Sequence, residues 1–484
     1  MPARTGEEYL AKLKENPPEV WIDGQRVRDP TTHPAFRRGA RSMADLLDMQ
    51  HEPALRDEMT YDSPSSGERV GTSFLTPRTP EDIVRRRLMM TRWARHSGGM
   101  MGRSPDYLNA GLMAVAAASS YFGGNRPEFK ANVERYYEHV RENDLCMTHT
   151  LVNMRRTRSA ESVMGADDVG LRVTRETDEG IVVKGARVLA TLGPISDEIM
   201  VFPSTVLSTM PDAERYAFAF SIPSATAGLK FVCRESFDLG RPSYDHPLGS
   251  RFEEMDAIVL FDEVLVPWER VFLLGDIELC NDAYAATNAL VHMMHQVVTK
   301  NVAKSEFVLG IAARMVEALG SGHLPNVQGM VAELIIDLEL MKACLRAAEA
   351  DAAIDEWGVM CPNRPPLDVA RNLFPKMYPR MVEVLQLLGS SNLMATPSAA
   401  DFESDIGEEL EHYLSTDTMS GLDRARLFHL AWDVACSAFG SRQVLYERFF
   451  FGDQTRMASA LYNGYDMGAL KARVDDFLAR EPMM

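Results

Sequence analysis

The chain has 484 residues, of which 46% are hydrophobic and 25% charged, a composition ordinary for a globular protein with room for two or three domains. Its formal net charge is −18, and no cluster of Lys and Arg interrupts this acidity, which argues against binding to a nucleic-acid backbone. The six cysteines form no CxxC pair, so we expect reduced thiols and no zinc or disulfide framework. Because the N-terminus lacks an apolar signal core, we expect a cytoplasmic protein.

The first zone, residues 1–145, is predicted to be helical. Thr79-Pro80-Glu81-Asp82 is typical of a helix start, because proline suits the first turn and acidic side chains suit the positive end of the helix dipole. The apolar stretch 107–123 is broken by Asn109 and indicates a buried helix, not a membrane span.

The second zone, residues 146–276, changes to the alternating pattern of strands. Residues 171–174 and 181–188 flank the turn Asp178-Glu179-Gly180, which predicts a hairpin. Further β-rich runs follow, beginning at Glu198, Tyr216, Leu229 and Ala257. Several short strands separated by turn residues favour a small antiparallel barrel or sandwich, and we predict a β-barrel domain.

The third zone, residues 277–484, is predicted to be a helical bundle. Between Asn326 and Leu345 the apolar residues follow the spacing of one wide helix face: Val327, Met330, Val331, Leu334, Ile335, Leu338, Met341 and Leu345. The predicted fold class is therefore mainly α with a central β-barrel domain, in the order helices, barrel, helices. A crevice between a bundle and a barrel can hold a flat cofactor.

The common nucleotide and hydrolase motifs are missing from this sequence. It contains no GxGxxG after a strand, no GxxxxGK[ST], no HExxH and no GxSxG. The enzyme classes that those motifs mark are therefore disfavoured, although a flavin can be bound without any of them.

The segment 98–107 carries the first candidate site. Its glycines allow close approach of a ligand to the backbone, and Ser104-Pro105 predicts a helix start with Ser104 as the cap. Arg103 and Tyr107 are four residues apart and so lie on one side of that helix. Together they can bind an anionic oxygen, but a simple packing contact between an Arg and a Tyr explains the same spacing.

His149 lies where the first helical zone meets the β-rich zone. Histidine is suited to accept a phenolic proton near neutral pH. A single histidine at a domain junction also fits a structural role, and the residues alone leave both readings open.

The chain resembles the oxygenase components of 4-hydroxyphenylacetate 3-monooxygenases along nearly its whole length. The matching blocks include "DPTTHPAF", "GMMGRSPDYLNA", "GIVVKGAR", "FVCRE", "DHPLGSR", "VLVPWERVF", "ELCNDAYAAT" and "LYERFFFGD". The resemblance implies an acyl-CoA dehydrogenase-like fold, a homotetramer, and no metal. It also implies FAD, used as FADH2 that a separate NAD(P)H:flavin reductase supplies.

The resemblance assigns roles to individual residues. Arg103, Tyr107 and His149 match the family's catalytic and phenol-binding residues, and Ser204 and Thr205 fall in the loop that receives the polar tail of the substrate. The residues that match flavin-binding positions are His149, Arg155, Arg158, Thr191, Asp453, Gln454, Thr455 and Arg456.

One stretch departs from the family pattern. The family commonly has Asn-Pro-Gln and then Val-Asn-Arg after the histidine, whereas this chain has Asn153-Met154-Arg155 and keeps Arg158. The flavin contacts of this stretch and the identity of the phenol are therefore open.

The implied activity is ortho-hydroxylation of a small para-substituted phenol, 4-hydroxyphenylacetate or a similar compound, to a catechol through a flavin hydroperoxide. The first alternative is a 4-hydroxybutyryl-CoA dehydratase-like enzyme, which needs an iron–sulfur cluster held by cysteines. Although His292 is present, Arg103, Tyr107 and Thr299 stand where that branch has cysteines. The second alternative is a non-catalytic flavin-binding protein.

Overall fold

The computed structural model describes residues 2–154, 156, 169–203, 212–238, 240–450 and 452–480. It is mainly helical, and most of its strands lie between the two helical zones, as the sequence predicts. Among the described helices, none is both long enough and apolar enough to cross a membrane. The division into three domains and the likeness to acyl-CoA dehydrogenases stay predictions.

The first part of the chain forms short and medium helices. Thr79 caps the helix that begins at Pro80 and forms a capping box with Asp82, which confirms the predicted start. The helices are α1 (Gly6–Glu15), α2 (Arg37–Asp48), α3 (Arg56–Met59), α4 (Pro80–His96), α5 (Pro105–Ala117), α6 (Ser119–Gly123) and α7 (Pro127–Glu142).

Two larger sheets contain most of the strands. The seven-stranded sheet has the order β2-β1-β11-β12-β8-β6, with β7 also paired to β8, and the four-stranded sheet has the order β13-β10-β9-β5. The strands are β1 (Glu19–Ile22), β2 (Gln25–Val27), β3 (Thr60–Asp62), β4 (Arg69–Gly71), β5 (Met147–Thr150), β6 (Val152–Asn153), β7 (Arg172–Glu176), β8 (Gly180–Thr191), β9 (Glu198–Val201), β10 (Phe218–Pro223), β11 (Leu229–Cys233), β12 (Asp256–Pro267) and β13 (Val271–Leu274).

The predicted closed barrel is wrong for the described part of the chain, where both sheets are open. The predicted hairpin is present, since β7 pairs antiparallel with β8 across the expected turn. However, β2 and β6 end the larger sheet without pairing to each other. One further departure is that β1, from the N-terminal zone, pairs in parallel with β11. Alternation predicts strands but not which edges meet, because edge pairing depends on distant segments.

The last part of the chain is a helical bundle. The helices are α8 (Ile277–Ala286), α9 (Ala289–Ala318), α10 (Pro325–Ala350), α11 (Arg364–Gly389), α12 (Ser391–Met394), α13 (Ala399–Phe402), α14 (Gly407–Leu414), α15 (Gly421–Ala435), α16 (Ala438–Phe449), α17 (Gln454–Gly464) and α18 (Gly468–Leu478), and a small hairpin joins β14 (Ala353–Ile354) to β15 (Met360–Cys361). The predicted apolar face of α10 is buried in part: Leu334 and Met341 are inside, whereas Ile335 is 47% exposed.

Helix α9 is the centre of the molecule. It packs against α4 and α5 of the first zone and against α10 and α11 of the last. The contact with α5 is close, because a Cβ at Gly111 would press on the Met293 side chain. The middle of α5 is thereby packed closely against the bundle.

Candidate active site

The candidate site is built around the start of α5. Gly98 and Gly99 have positive φ values of 60° and 73°, so the chain turns sharply before the helix. The backbone N–H of Arg103 donates to Glu254 Oε1 at 2.6 Å, which fixes the turn to the sheet side of the molecule. Ser104 stands at the predicted N-cap position but makes no capping hydrogen bond; its hydroxyl donates to Asp106 Oδ1 at 2.6 Å.

The Arg103 guanidinium lies among aromatic rings. Its central carbon is 4.2 Å from the centroid of the Tyr107 ring, 5.6 Å from that of Tyr446 and 5.4 Å from that of Phe450. Burial opposes the charged form, but the nearby phenols and Glu254 outweigh it and raise the pKa of Arg103, so the group stays cationic. Its Nε and Nη1 atoms are buried and have no hydrogen-bond partner among the described residues.

His149 faces the same place from β5. Its ring centroid is 5.8 Å from that of Tyr107. Burial and the positive charge of Arg103 hold the pKa of His149 well below its usual value. The imidazole is therefore neutral near pH 7 and can accept a proton.

A small, mainly apolar cavity opens beside His149. Its lining residues are Leu108, Gly111, Leu112, Val115, His149, Met200, Phe202, Tyr284, Ala289 and Met293. The volume is about 20 Å³, roughly the space of one water molecule, so a ring-sized ligand requires side chains to move. Phe202 and Tyr284, with ring centroids 5.6 Å apart, were not predicted as site residues, and no local sequence signal marks them.

A buried polar network joins Thr191 to the same region. The Thr191 hydroxyl donates to Asp256 Oδ1 at 2.8 Å, and the Thr148 hydroxyl donates to the Thr191 carbonyl at 2.7 Å. Arg442 forms ion pairs with Asp256 and Glu254, each at 2.8 Å. Although burial raises it, the pKa of Asp256 is lowered to about 2, mainly by Arg442. Thr191 is thus linked through Arg442 and Glu254 to the backbone of Arg103.

The structure does not bring Asp453–Arg456 into contact with Arg103 or His149 of the same chain. Asp453 caps α17 by accepting from the Arg456 backbone N–H at 3.1 Å, and Asp453, Thr455 and Arg456 are exposed. The remaining predicted site residues lie outside the described part of the chain: Arg155, Arg158, Ser204 and Thr205.

His292 belongs to a separate, partly buried cluster. Ligand atoms of His292, Asp355 and Cys361 lie within 4.8 Å of one another. However, Arg86 Nη2 lies 2.8 Å from His292 Nδ1, and a guanidinium can only donate, so a buried cation faces the ring. One thiol beside a guanidinium is a poor set of ligands for an iron–sulfur cluster, which is held mainly by thiolates.

Comparison with protein families assigns the chain to a class of enzymes. Residues 5–273 match the family described as "4-hydroxyphenylacetate 3-hydroxylase N terminal", and residues 280–479 match its C-terminal counterpart. The chain belongs to the 4-hydroxyphenylacetate 3-hydroxylase family.

Individual relatives agree with this assignment. The chain is 48% identical to the 4-hydroxyphenylacetate 3-monooxygenase oxygenase component of Geobacillus sp. (strain PA-9), over 99% of this chain and 97% of the relative. A crystal structure of such a component with FAD and 4-hydroxyphenylacetate matches with a TM-score of 0.94 and 49% identity, covering 98% of each chain. An archaeal 4-hydroxybutyryl-CoA dehydratase structure has a TM-score of 0.87 but only 16% identity, over 98% of this chain and 95% of that one, so it shares the fold alone.

Proposed function

We propose that this chain is the oxygenase component of a two-component monooxygenase. It uses FADH2 and O2 to hydroxylate a small para-substituted phenol, 4-hydroxyphenylacetate or a similar compound, next to its hydroxyl group. The observation that carries the proposal is the meeting of Arg103, Tyr107 and His149 at one partly buried point, where a permanent cation, a phenol and a neutral imidazole come together and His149 lines an apolar cavity.

The three side chains have distinct tasks in this proposal. Arg103 stabilises the negative charge that develops on the phenolic oxygen of the substrate, since it stays protonated when buried. His149 accepts the phenolic proton, because its imidazole is neutral before the substrate binds and the negative charge that forms on the phenol favours the protonated ring. Tyr107 stacks on Arg103 and orients the oxygen. Loss of the proton makes the ortho carbon more electron-rich.

The residues present fit a reduced flavin. The buried Nε and Nη1 atoms of Arg103 lack partners among the described residues, as expected where a polar ring edge binds. A bound reduced flavin would supply the two electrons that activate O2, of which one atom is transferred to the phenol and the other leaves as water. The proposed flavin contacts are Thr191 at the ring, Arg155, Arg158 and the stretch Asp453–Arg456. The apolar cavity excludes water, which limits wasteful release of peroxide.

We further propose that Ser204 and Thr205 bind the polar tail of the substrate. Phe202, which lines the cavity, precedes Ser204 by two residues in sequence, which supports a role of this stretch in binding the substrate.

The proposed partners are a separate NAD(P)H:flavin reductase and three further copies of this chain. In a homotetramer, the exposed Arg456 would reach flavin bound mainly by another subunit. The exposed apolar residues of α18 support such an assembly: Leu470, Val474, Phe477 and Leu478 are 48%, 57%, 70% and 74% exposed.

The division of labour between oxygenase and reductase gives a direct test. The purified chain with FAD and NADH is expected to leave NADH unoxidised and 4-hydroxyphenylacetate unchanged. Addition of an unrelated flavin reductase should start catechol formation, because free FADH2 is the only link required. NADH oxidation by the chain alone at the rate of hydroxylation would contradict the proposal.

A further inference from the structure

Arg103 and Tyr446 form a pair of buried polar groups with spare hydrogen-bonding capacity. Within the described residues, Arg103 Nε, Arg103 Nη1 and the Tyr446 hydroxyl are buried without hydrogen-bond partners. The guanidinium carbon is 5.6 Å from the Tyr446 ring centroid. A Cβ at Gly102 would overlap the Tyr446 hydroxyl, so this hydroxyl packs directly against the turn that carries Arg103. Unpaired buried donors at one place indicate a missing acceptor.

An aromatic ring and a lysine ammonium group pack against the Tyr446 ring. It stacks on Phe450, one helical turn further along the chain, with a centroid distance of 4.9 Å and an interplanar angle of 11°. Lys300 Nζ lies 5.6 Å from the Tyr446 centroid and 5.4 Å from that of Phe450. Arg103 and Lys300 are therefore cations that share the same two rings.

The next residue, Glu447, is clamped by two lysines of α9. Lys300 Nζ and Lys304 Nζ both donate to Glu447 Oε1 at 2.6 Å. The lysines are four residues apart and so project from one face of α9. All three side chains are at most 1% exposed. These contacts fix the rotation of α16 against α9 and thereby the direction in which Tyr446 points.

A second contact ties the clamp to the turn before α5. Lys304 Nζ donates to Gln443 Oε1 at 2.8 Å, and Gln443 Nε2 donates to the Met100 carbonyl at 2.9 Å. These hydrogen bonds therefore fix the position of the segment that carries Arg103 relative to the helix that carries Tyr446.

Arg103 is the cation at this place whose Nε and Nη1 atoms have no acceptor among the described residues, so the point beside Arg103 and Tyr446 favours an anion. Tyr446 can donate to such an anion, because burial raises the pKa of its hydroxyl well above the usual value and keeps it protonated.

We propose that Tyr446 donates a hydrogen bond to the same phenolate oxygen as Arg103, and that Lys300, Lys304 and Glu447 are positioning residues that hold it there. The inference rests on the proposed function, because the phenolate is that of the aromatic substrate. It adds a donor from the C-terminal helices to the site that the first helical zone and β5 form.

The test uses 4-nitrophenol, whose phenolate is coloured, with the full chain loaded with oxidised FAD. Its binding is titrated by absorbance across pH. Tyr446→Phe removes only the hydroxyl, and we expect phenolate affinity to fall about 10-fold and the pKa of the bound phenol to rise by about one unit, as for loss of a hydrogen bond to a charged group. The matched control is Tyr378→Phe, which removes another buried hydroxyl that has no hydrogen-bond partner among the described residues. The Tyr378 ring centroid lies 4.5 Å from Lys304 Nζ. This control should leave phenolate binding unchanged.

A double-mutant cycle tests the clamp. Lys304→Met should weaken phenolate binding when Tyr446 is present and add little in the Tyr446→Phe background, because the effect passes through the tyrosine. Equal losses in both backgrounds would show that the lysine acts through charge alone and would overturn the positioning role. Thermal melting of each variant identifies any loss that is due to unfolding.

The outcomes separate the two levels of the proposal. If the unsubstituted protein binds 4-nitrophenolate and Tyr446→Phe binds it equally well, the role of Tyr446 is wrong while the proposed function stands. If the unsubstituted protein binds no phenolate at any pH, the proposed function fails, and the inference fails with it.

Discussion

The guanidinium carbon of Arg103 lies 4.2 Å from the centroid of the Tyr107 ring, one helical turn away. The ring covers one face of the cation, and within the described residues the Nε and Nη1 atoms of Arg103 have no hydrogen-bond partner and can bind a ligand. The two residues therefore act as a unit. A packing role and a binding role, which the sequence leaves as alternatives, are therefore compatible at this position.

Replacement of His149 should uncouple oxygen consumption from hydroxylation. His149→Ala removes the proton acceptor for the phenol but leaves Arg103 in place, so oxygen is still consumed and hydrogen peroxide is released. The ratio of catechol to peroxide per oxygen consumed measures this. A coupling ratio equal to that of the unsubstituted enzyme would remove His149 from the site.

Arg103→Ala should fail differently. It removes the charge that stabilises the phenolate, and loss of one such group costs roughly 10²–10³ in rate. Arg103→Lys serves as the control, because it keeps the charge but not the planar stacking on Tyr107. Single-turnover rates with preformed FADH2 check the prediction, and melting curves of both variants separate the loss of stacking from the loss of charge. A variant that loses activity only because it unfolds would contradict the assignment.

The Arg442 network should matter chiefly for stability. Arg442→Leu leaves Glu254 buried without its ion-pair partner and leaves Asp256 with Arg234 alone, which we expect to cost about 3–5 kcal/mol in the free energy of unfolding. Arg380→Leu is the matched control: Arg380 pairs with Glu333 and Glu383 at the surface, where loss of a pair costs at most about 1 kcal/mol. Denaturant unfolding of both variants provides the comparison, and equal losses would refute a buried network.

The buried histidine His292 should make stability depend on pH. Burial and the charge of Arg86 lower its pKa well below 6.5, so below that pH the unfolded chain binds a proton that the folded chain does not. Folding stability linked to His292 is therefore lost as pH falls below 6.5. The stability difference between the unsubstituted protein and His292→Gln should shrink as the pH falls from 6.5 to 5. A constant difference would contradict a neutral His292.

Assembly is expected to depend on the last helix. Phe477 is 70% exposed and Val474 is 57% exposed in the single chain, so we expect both to be covered in a homotetramer. Phe477→Glu should lower the mass seen by light scattering and weaken FAD binding together, since Arg456 would no longer reach a neighbouring site. An unsubstituted protein that is monomeric and still binds reduced FAD tightly would contradict this.

Local patterns predicted local structure well. The Thr79 cap, the hairpin between β7 and β8, and the stacking of Arg103 on Tyr107 all depend on residues within a few positions of each other. Such short-range signals survive in a single sequence because turn, cap and periodicity rules act over one or two turns of chain.

The long-range contacts could not be predicted in this way. Arg442 meets Asp256 from 186 positions away, and Gln443 meets Met100 from 343 positions away. The pairing of β1 with β11 could not be predicted for the same reason, and neither could the open sheets that stand where a barrel was predicted. Both features depend on which distant strand edges pair. Tyr446 was not predicted as a site residue, because only the packing of α16 brings it close to Arg103.

The most direct test of the proposed activity is a single turnover without any reductase. The purified chain is mixed anaerobically with photoreduced FAD and 4-hydroxyphenylacetate and then exposed to isotope-labelled dioxygen, and the products are identified by mass spectrometry. We predict 3,4-dihydroxyphenylacetate that contains one labelled oxygen atom. The experiment is repeated with a panel of para-substituted phenols. If the product mixture is the same with and without the protein for all of them, the assignment of this chain as a flavin-dependent phenol hydroxylase is contradicted.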